Sequence, residues 1–247
     1  MKEQGRYFLS DSIRKTMDFS MTDQYMGVDA PPVQKPLPEG ALITVLPEPV
    51  GLGNIPLEEA IRRRESRRSY SSEPISLREL SFLLWATQGL REEPFQGHAL
   101  RTVPSAGCRH ALETYLAVFR VDGLARGVYR YLPVGHGLTR ISDPGDPEGR
   151  TARAALGQRF AGKGAVTFIW TTVPYRMEWR YGDAAYKVIA IDAGHVCQNL
   201  YLACEAIGAG TCAIAAYDQE KADRLAGVDG EEEFVIYMAS VGKHVNR

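Results

Sequence analysis

The chain lacks most of the features that place a protein in a class at sight. Only four of its 247 residues are cysteine, Cys108, Cys197, Cys204 and Cys212, and none forms a C-x-x-C pair. A chain this long does not need disulfide staples, so reduced and mostly buried thiols are expected. His195-x-Cys197 is the nearest approach to metal-ligand spacing, and on a helix it points two side chains to different faces; no metal site is expected. Charge of one sign is also missing: 29 Lys and Arg against 30 Asp and Glu leave a formal charge of -1. No global field draws the chain to nucleic acid or anionic lipid, and any basic site must be local. The most apolar window, Tyr201 to Tyr217, is broken by Glu205, and MKEQGRYFLSDSIRK lacks the apolar core of a signal peptide. With no span of about 18 apolar residues, a soluble, cytoplasmic protein without a membrane partner is expected. Neither G-x-G-x-x-G after a strand nor G-x-x-x-x-G-K-[ST] occurs, which leaves Rossmann and P-loop nucleotide sites unsupported.

What is present is an ordinary globular composition, 45% hydrophobic and 24% charged, with an uneven distribution of proline. The segments APPVQKPLPEG and LPEPVGLG forbid helix interiors and central strands. Residues 1–54 therefore read as an extended, proline-rich arm, with a short amphipathic piece from Gly5 to Phe19, and residues 55–247 as one domain. Pro56-Leu57-Glu58-Glu59 starts a helix with acids in its first turn. Ser76-Leu77-Arg78-Glu79 is a capping box, followed by Leu80, Leu83, Leu84 and Thr87 at helical spacing and stopped by Gly89. Strands are predicted over 114–121, 127–132, 165–173, 210–216 and 234–241. Helices are predicted over 147–160, from Asp218, and over 184–207, the last mostly apolar and suited to a buried central position. Helices first, then strands and helices without β-α-β alternation, favour an α+β fold.

Four constellations could carry chemistry. Arg62-Arg63-Arg64-Glu65-Ser66-Arg67-Arg68-Ser69-Tyr70 puts five guanidiniums among hydroxyls, a set that binds phosphate oxygens but equally fits an RNA patch, an import signal or a solvated face. Arg101-Thr102-Val103-Pro104-Ser105-Ala106-Gly107 is a loop whose small residues would let backbone amides approach a planar ligand, or simply a loop. In Gly208 to Tyr217 a helix stop runs into a strand of small residues, open either to a flat ring or to close helix packing. Arg176 to Gly182, with Asp192-Ala193-Gly194-His195 downstream, follows a strand and could line a substrate pocket or form a surface loop.

Taken in order, these segments resemble the flavin-dependent nitroreductase superfamily, and within it the SagB/ThcOx-type dehydrogenases. Arg64-Glu65-Ser66-Arg67-Arg68-Ser69-Tyr70 matches R-x-S-x-R-x-[FY], and Glu73 to Gly89 matches E-P-[IL]-S-L-x-E-L-x-x-L-L-W-A-x-Q-G. R-T-V-P-S-A-G stands at Arg101 to Gly107, W-[KR]-Y-G at Trp179 to Gly182, and D-A-G-H-V-x-Q-N-L-Y-L at Asp192 to Leu202. The resemblance implies an α+β homodimer with a mainly antiparallel sheet, surrounded by helices and binding FMN at its interface. It assigns Arg64, Glu65 and Ser66 to the phosphate, Arg68 to the flavin N1/O2 edge, and Pro104, Ser105, Ala106 and Gly107 to the partner's flavin. Ile214, Ala215 and Ala216 would face N5 and O4, and Lys243 would make a C-terminal phosphate contact. The implied activity is hydride transfer through flavin N5 between a reduced donor, NAD(P)H, and an organic acceptor. An azoline dehydrogenase acting on a modified peptide, or a flavin-binding protein without turnover, are the alternatives. The resemblance places Arg180 and Tyr181 where azoline oxidases carry a catalytic Lys-Tyr pair, with arginine in place of lysine.

Overall fold

Seven strands pair side by side in the computed structural model, which describes residues 2–95 and 97–245. They are β1 (Ile43–Val45), β2 (Leu112–Val118), β3 (Gly127–Leu132), β4 (Gly137–Ser142), β5 (Val166–Thr172), β6 (Ala209–Ile214) and β7 (Phe234–Lys243), in the order β1-β4-β3-β2-β5-β7-β6. Each neighbouring pair is antiparallel. The helices are α1 (Lys2–Ser10), α2 (Leu57–Arg63), α3 (Leu77–Gln88), α4 (Pro147–Ala154), α5 (Tyr175–Tyr181), α6 (Ala185–Ala206) and α7 (Gln219–Ala226). This is the expected α+β arrangement of a mainly antiparallel sheet and surrounding helices.

Strand alternation sorts the sheet's two faces. Leu112, Leu116 and Val118 of β2, with Val166, Phe168 and Trp170 of β5, pack on α3 and α6. Tyr115 and Ala117, with Ile169, face the other way onto α4 and α7. Tyr129 and Tyr131 share the α6 side, as their alternation requires. The α6 helix buries Ile189, Val196, Cys197, Leu200 and Cys204. Thiols of Cys197, Cys204 and Cys212 are buried, Cys108 is half-buried, and all four are unpaired. The Ser76–Glu79 capping box forms as its sequence dictates.

Several expectations need correction. The segment 1–54 is not wholly extended: it begins with α1 and supplies β1, which pairs with β4 at the sheet edge. The rest of the arm lies on the domain because guanidiniums capture its carbonyls. Arg101 donates to Val33 O at 2.7 Å and Arg130 to Pro36 O at 2.9 Å, while Lys35 N–H donates to Glu113 at 2.8 Å. Residues 176–182 belong mostly to a helix rather than a loop; Pro174 opens α5, which buries Met177 and Trp179. The helix from Pro147 stops at Ala154, because Leu156 and Gly157 adopt positive φ. The β4 strand, GLTRIS, was not anticipated; it has no apolar run of its own and is held by β3 and β1.

Candidate active site

The arginine-rich segment docks on the β7–β6 edge of the sheet through two facing glycines. Gly210 and Gly242 are register partners, so a patch of sheet has no side chains. A Cβ on Gly210 would lie 2.3 Å from Arg67 Cδ, and one on Gly242 would lie 2.8 Å from the Tyr70 ring. The Arg67 stem and Tyr70 ring therefore lie flat on backbone. Arg67 N–H donates to Thr211 O at 2.9 Å, and Ser66 bridges Thr211 in parallel, covering part of the free edge of β6. Tyr70 donates to Arg67 O at 2.6 Å and lies 2.6 Å from the Ser240 hydroxyl; burial holds its phenol well above the ordinary value.

Carboxylates distinguish the five guanidiniums. Arg62 and Arg63 pair with Glu58 and Glu59 on their own helix, and Arg67 pairs with Glu65 at 2.6 Å and Glu205 at 3.6 Å. Among the described residues Arg64 and Arg68 have no carboxylate partner. Arg64 lies 5.3 Å over the Tyr201 ring and Arg68 lies 5.6 Å over Phe160. The Ser66 hydroxyl is 2.8 Å from that of Tyr201, which also accepts Ala213 N–H at 3.0 Å. Buried Arg67 Nε and Thr211 Oγ1 have no hydrogen-bond partner. A cavity of about 400 Å3 is lined by Glu65, Ser66, Arg67, Arg68, Ser69, His244 and Val245. Burial raises the pKa of the Cys212 thiol, against the charge of Arg68 and the nearby Ser66 hydroxyl.

Downstream, Ala215 and Ala216 are exposed just past the end of β6, and Gln158 donates to Ala216 O at 3.0 Å. Ile214 is 2% exposed and packs into the core shared with α4 and α7. Lys243 is engaged elsewhere: its ammonium donates to Glu79 at 2.5 Å and to Ile207 O at 2.8 Å, tying the start of α3 to the end of α6.

The remaining predicted residues form a second group. Gly107, at φ 58°, packs so closely on α5 that a Cβ would lie 2.7 Å from Arg180 Nε and 2.8 Å from Tyr181 Oη. Arg180 Nε donates to Tyr181 Oη at 3.2 Å. Pro104 is exposed, whereas Ser105 and Ala106 are half-buried against Asp192 of α6. Burial raises the Asp192 carboxyl above its usual range, opposed by the neighbouring Ser105, Ala106 and His195, and its Oδ2 has no hydrogen-bond partner among the described residues. Asp192 and Tyr201 are nine residues apart on α6, or about 13 Å along the axis at ~1.5 Å per residue. The predicted site residues thus fall into two groups, set apart along the same helix. The sequence pattern alone does not single out Tyr201 or Asp192, although both lie in the D-A-G-H-V-x-Q-N-L-Y-L run.

A family model described as "Nitroreductase family" matches residues 61–243. A protein of Methanocaldococcus jannaschii assigned as a nitroreductase is 34% identical over 191 residues, covering 77% of this chain and 92% of its own. The trifolitoxin-processing protein of Rhizobium leguminosarum is 30% identical over 115 residues, 45% of this chain and 31% of its own length. A crystal structure assigned as a nitroreductase from Ralstonia eutropha superposes with a TM-score of 0.69 at 26% identity, covering 88% of this chain and 99% of that one. The fold and these relatives define an oxidoreductase. The chain belongs to the nitroreductase family.

Proposed function

We propose that the protein is an FMN-dependent oxidoreductase that works as a homodimer. The observation that carries this reading is the pair of guanidiniums without a carboxylate partner among the described residues, Arg64 and Arg68, beside an edge strand of small residues. A phosphate with two charges suits such a pair, and Ser66 adds a hydroxyl donor. The orphaned Arg67 Nε and Thr211 Oγ1 are further polar groups at this edge, so the residues fit the group. When bound, the flavin supplies two-electron redox chemistry. Arg64 and Ser66 would hold the phosphate, and Arg68 would offset negative charge on the ring. The exposed backbone at Ala215 and Ala216 would lie against the ring without intervening side chains. The Pro104 to Gly107 loop, which belongs to the second group, would reach the flavin of a second copy.

The test is FMN titration of the full chain by fluorescence quenching, with light scattering for the oligomeric state. Binding of FMN by a dimer is expected, and Arg64→Ala should weaken it by about 1.5 to 3 kcal/mol, the range for a hydrogen bond to a charged group. A folded protein that takes up no FMN overturns the reading.

A second reading, dehydrogenation of a modified peptide, is favoured by the likeness to the trifolitoxin-processing protein. Against it stands Arg180 in place of a lysine, because a guanidinium makes a poor general base. Tyr181 can still donate or relay a proton. Little azole formation from an azoline peptide is expected of the wild type, with activity appearing in Arg180→Lys; rapid formation by the wild type favours the peptide reading.

A further inference from the structure

A cavity of about 490 Å3 opens at the seam between the N-terminal arm and α5, lined by Phe19, Thr22, Gln24, Tyr25, Arg180 and Tyr181. The arm is fixed there by backbone contacts. Gln24 N–H donates to Trp179 O at 2.8 Å, Trp179 Nε1 donates to Val28 O at 2.9 Å, and Tyr175 donates to Asp23 at 2.6 Å. The volume suits a small organic molecule.

The wall is rich in donors and has no carboxylate. Arg180 Nη1 donates to Gln24 Oε1 at 3.0 Å and its Nε to Tyr181 Oη, which leaves the rest of the guanidinium fork unused. Because the Tyr181 oxygen accepts that bond, its own O–H is left to donate. With its oxygen on Arg180, Gln24 can offer only N–H groups. Two neighbouring acids are occupied elsewhere: Asp23 accepts from Tyr175, and Asp11 pairs with Arg14 at 2.7 Å. Behind the wall, Arg109 adds a second cation without a carboxylate partner among the described residues. It lies 4.6 Å over the Trp179 ring and donates to the carbonyls of Arg176 and Gly97. Phe19 and Tyr25 supply aromatic faces to the same cavity.

We propose that this cavity is a subsite for a small aromatic carboxylate, with Arg180 pairing the carboxylate and Gln24 holding the guanidinium in place. A single guanidinium with neutral donors matches one carboxylate better than a phosphate dianion. Gln24 is then a specificity-determining residue contributed by the arm. Only the acid's role as a redox substrate rests on the flavin reading; its binding does not.

The test uses the full chain, as purified and after saturation with FMN. Calorimetry compares phenylacetate with phenylacetamide, probes of one shape that differ in charge. The carboxylate is expected to bind at least tenfold tighter in both preparations. Gln24→Glu seats a competing carboxylate against Arg180, so it should abolish the preference while leaving the amide's affinity within twofold. Arg180→Gln should do the same. Equal affinities, no binding of either probe, or a preference that survives Gln24→Glu overturns the proposal. If FMN does not bind but the preference holds, the subsite stands and the flavin reading falls; FMN binding without the preference gives the reverse.

Discussion

The Tyr201 hydroxyl lies 2.8 Å from the Ser66 hydroxyl while accepting the Ala213 N–H at 3.0 Å, so one phenol on α6 joins the arginine-rich segment to the edge strand. Tyr201→Phe strands the Ala213 N–H and one hydroxyl of the pair. A loss of about 1 to 2 kcal/mol in stability is expected, within the range for an unsatisfied half-buried group. Urea unfolding measures it, and an unchanged midpoint would mean that water replaces the phenol.

Gly107→Ala should disturb the second group of site residues. Its φ of 58° is unfavourable for alanine, and the added methyl meets Arg180 and Tyr181 below 3 Å. We expect destabilisation of about 1 to 3 kcal/mol together with displacement of the Arg180–Tyr181 pair. Thermal melting reads the first effect, and the phenylacetate preference the second.

Stability should fall as pH drops below the ordinary histidine range. Burial, with the charge of Arg101 next in weight, pushes the His110 ring down to about 3. Between about 6.5 and 3 the unfolded chain binds the proton and the folded chain does not, so this contribution is complete above 6.5 and lost progressively below it. The slope from one such group is at most about 1.4 kcal/mol per pH unit. Burial also depresses His136, with the same sign. The difference between wild type and His110→Asn, compared by urea midpoints at pH 7, 6 and 5, therefore isolates His110; parallel profiles would contradict the assignment.

Glu113 and Arg176 pair at 2.5 Å with side chains only 2% and 3% exposed. Glu113→Gln leaves the arginine charge buried and uncompensated, and a cost of about 3 to 5 kcal/mol is expected. The same carboxylate receives Lys35 N–H, so limited proteolysis should cleave the arm faster in this variant. Equal cleavage rates would show that Glu113 does not hold the arm.

Legibility in the sequence followed the range of the determining forces. The Ser76–Glu79 box, the apolar α6 and the β-branched and aromatic β5 are decided within a few residues, and each was read within a residue or two. The β1 strand is decided by its pairing with β4, and the course of the arm by Arg101, Arg130 and Glu113, all far along the chain, and no local pattern reports them. The α5 helix mixes aromatic and charged residues without a clear period and follows a strand directly, so it read as a pocket-lining segment or surface loop. For the candidate site, the motifs name residues of both groups. They could not show that Gly107 is pressed against Arg180 and Tyr181, that Lys243 is committed to Glu79, or that Gln24 reaches Arg180.

The anchoring of the arm also orders events in time. Lys35 is held by Glu233, 198 residues further on, and by Glu113, 78 residues on. Closing such long loops has an entropic cost that must be met before the contacts can repay it, so the central segment of the arm docks only once the strands of the domain exist. During synthesis the Lys35 anchor stays incomplete until Glu233, near the end of the chain, has been made. The wall carrying Gln24, by contrast, rests on Tyr175 and Trp179 of α5, so it can form as soon as α5 has docked, and the stretches of the arm around Gln24 and around Lys35 close in separate steps.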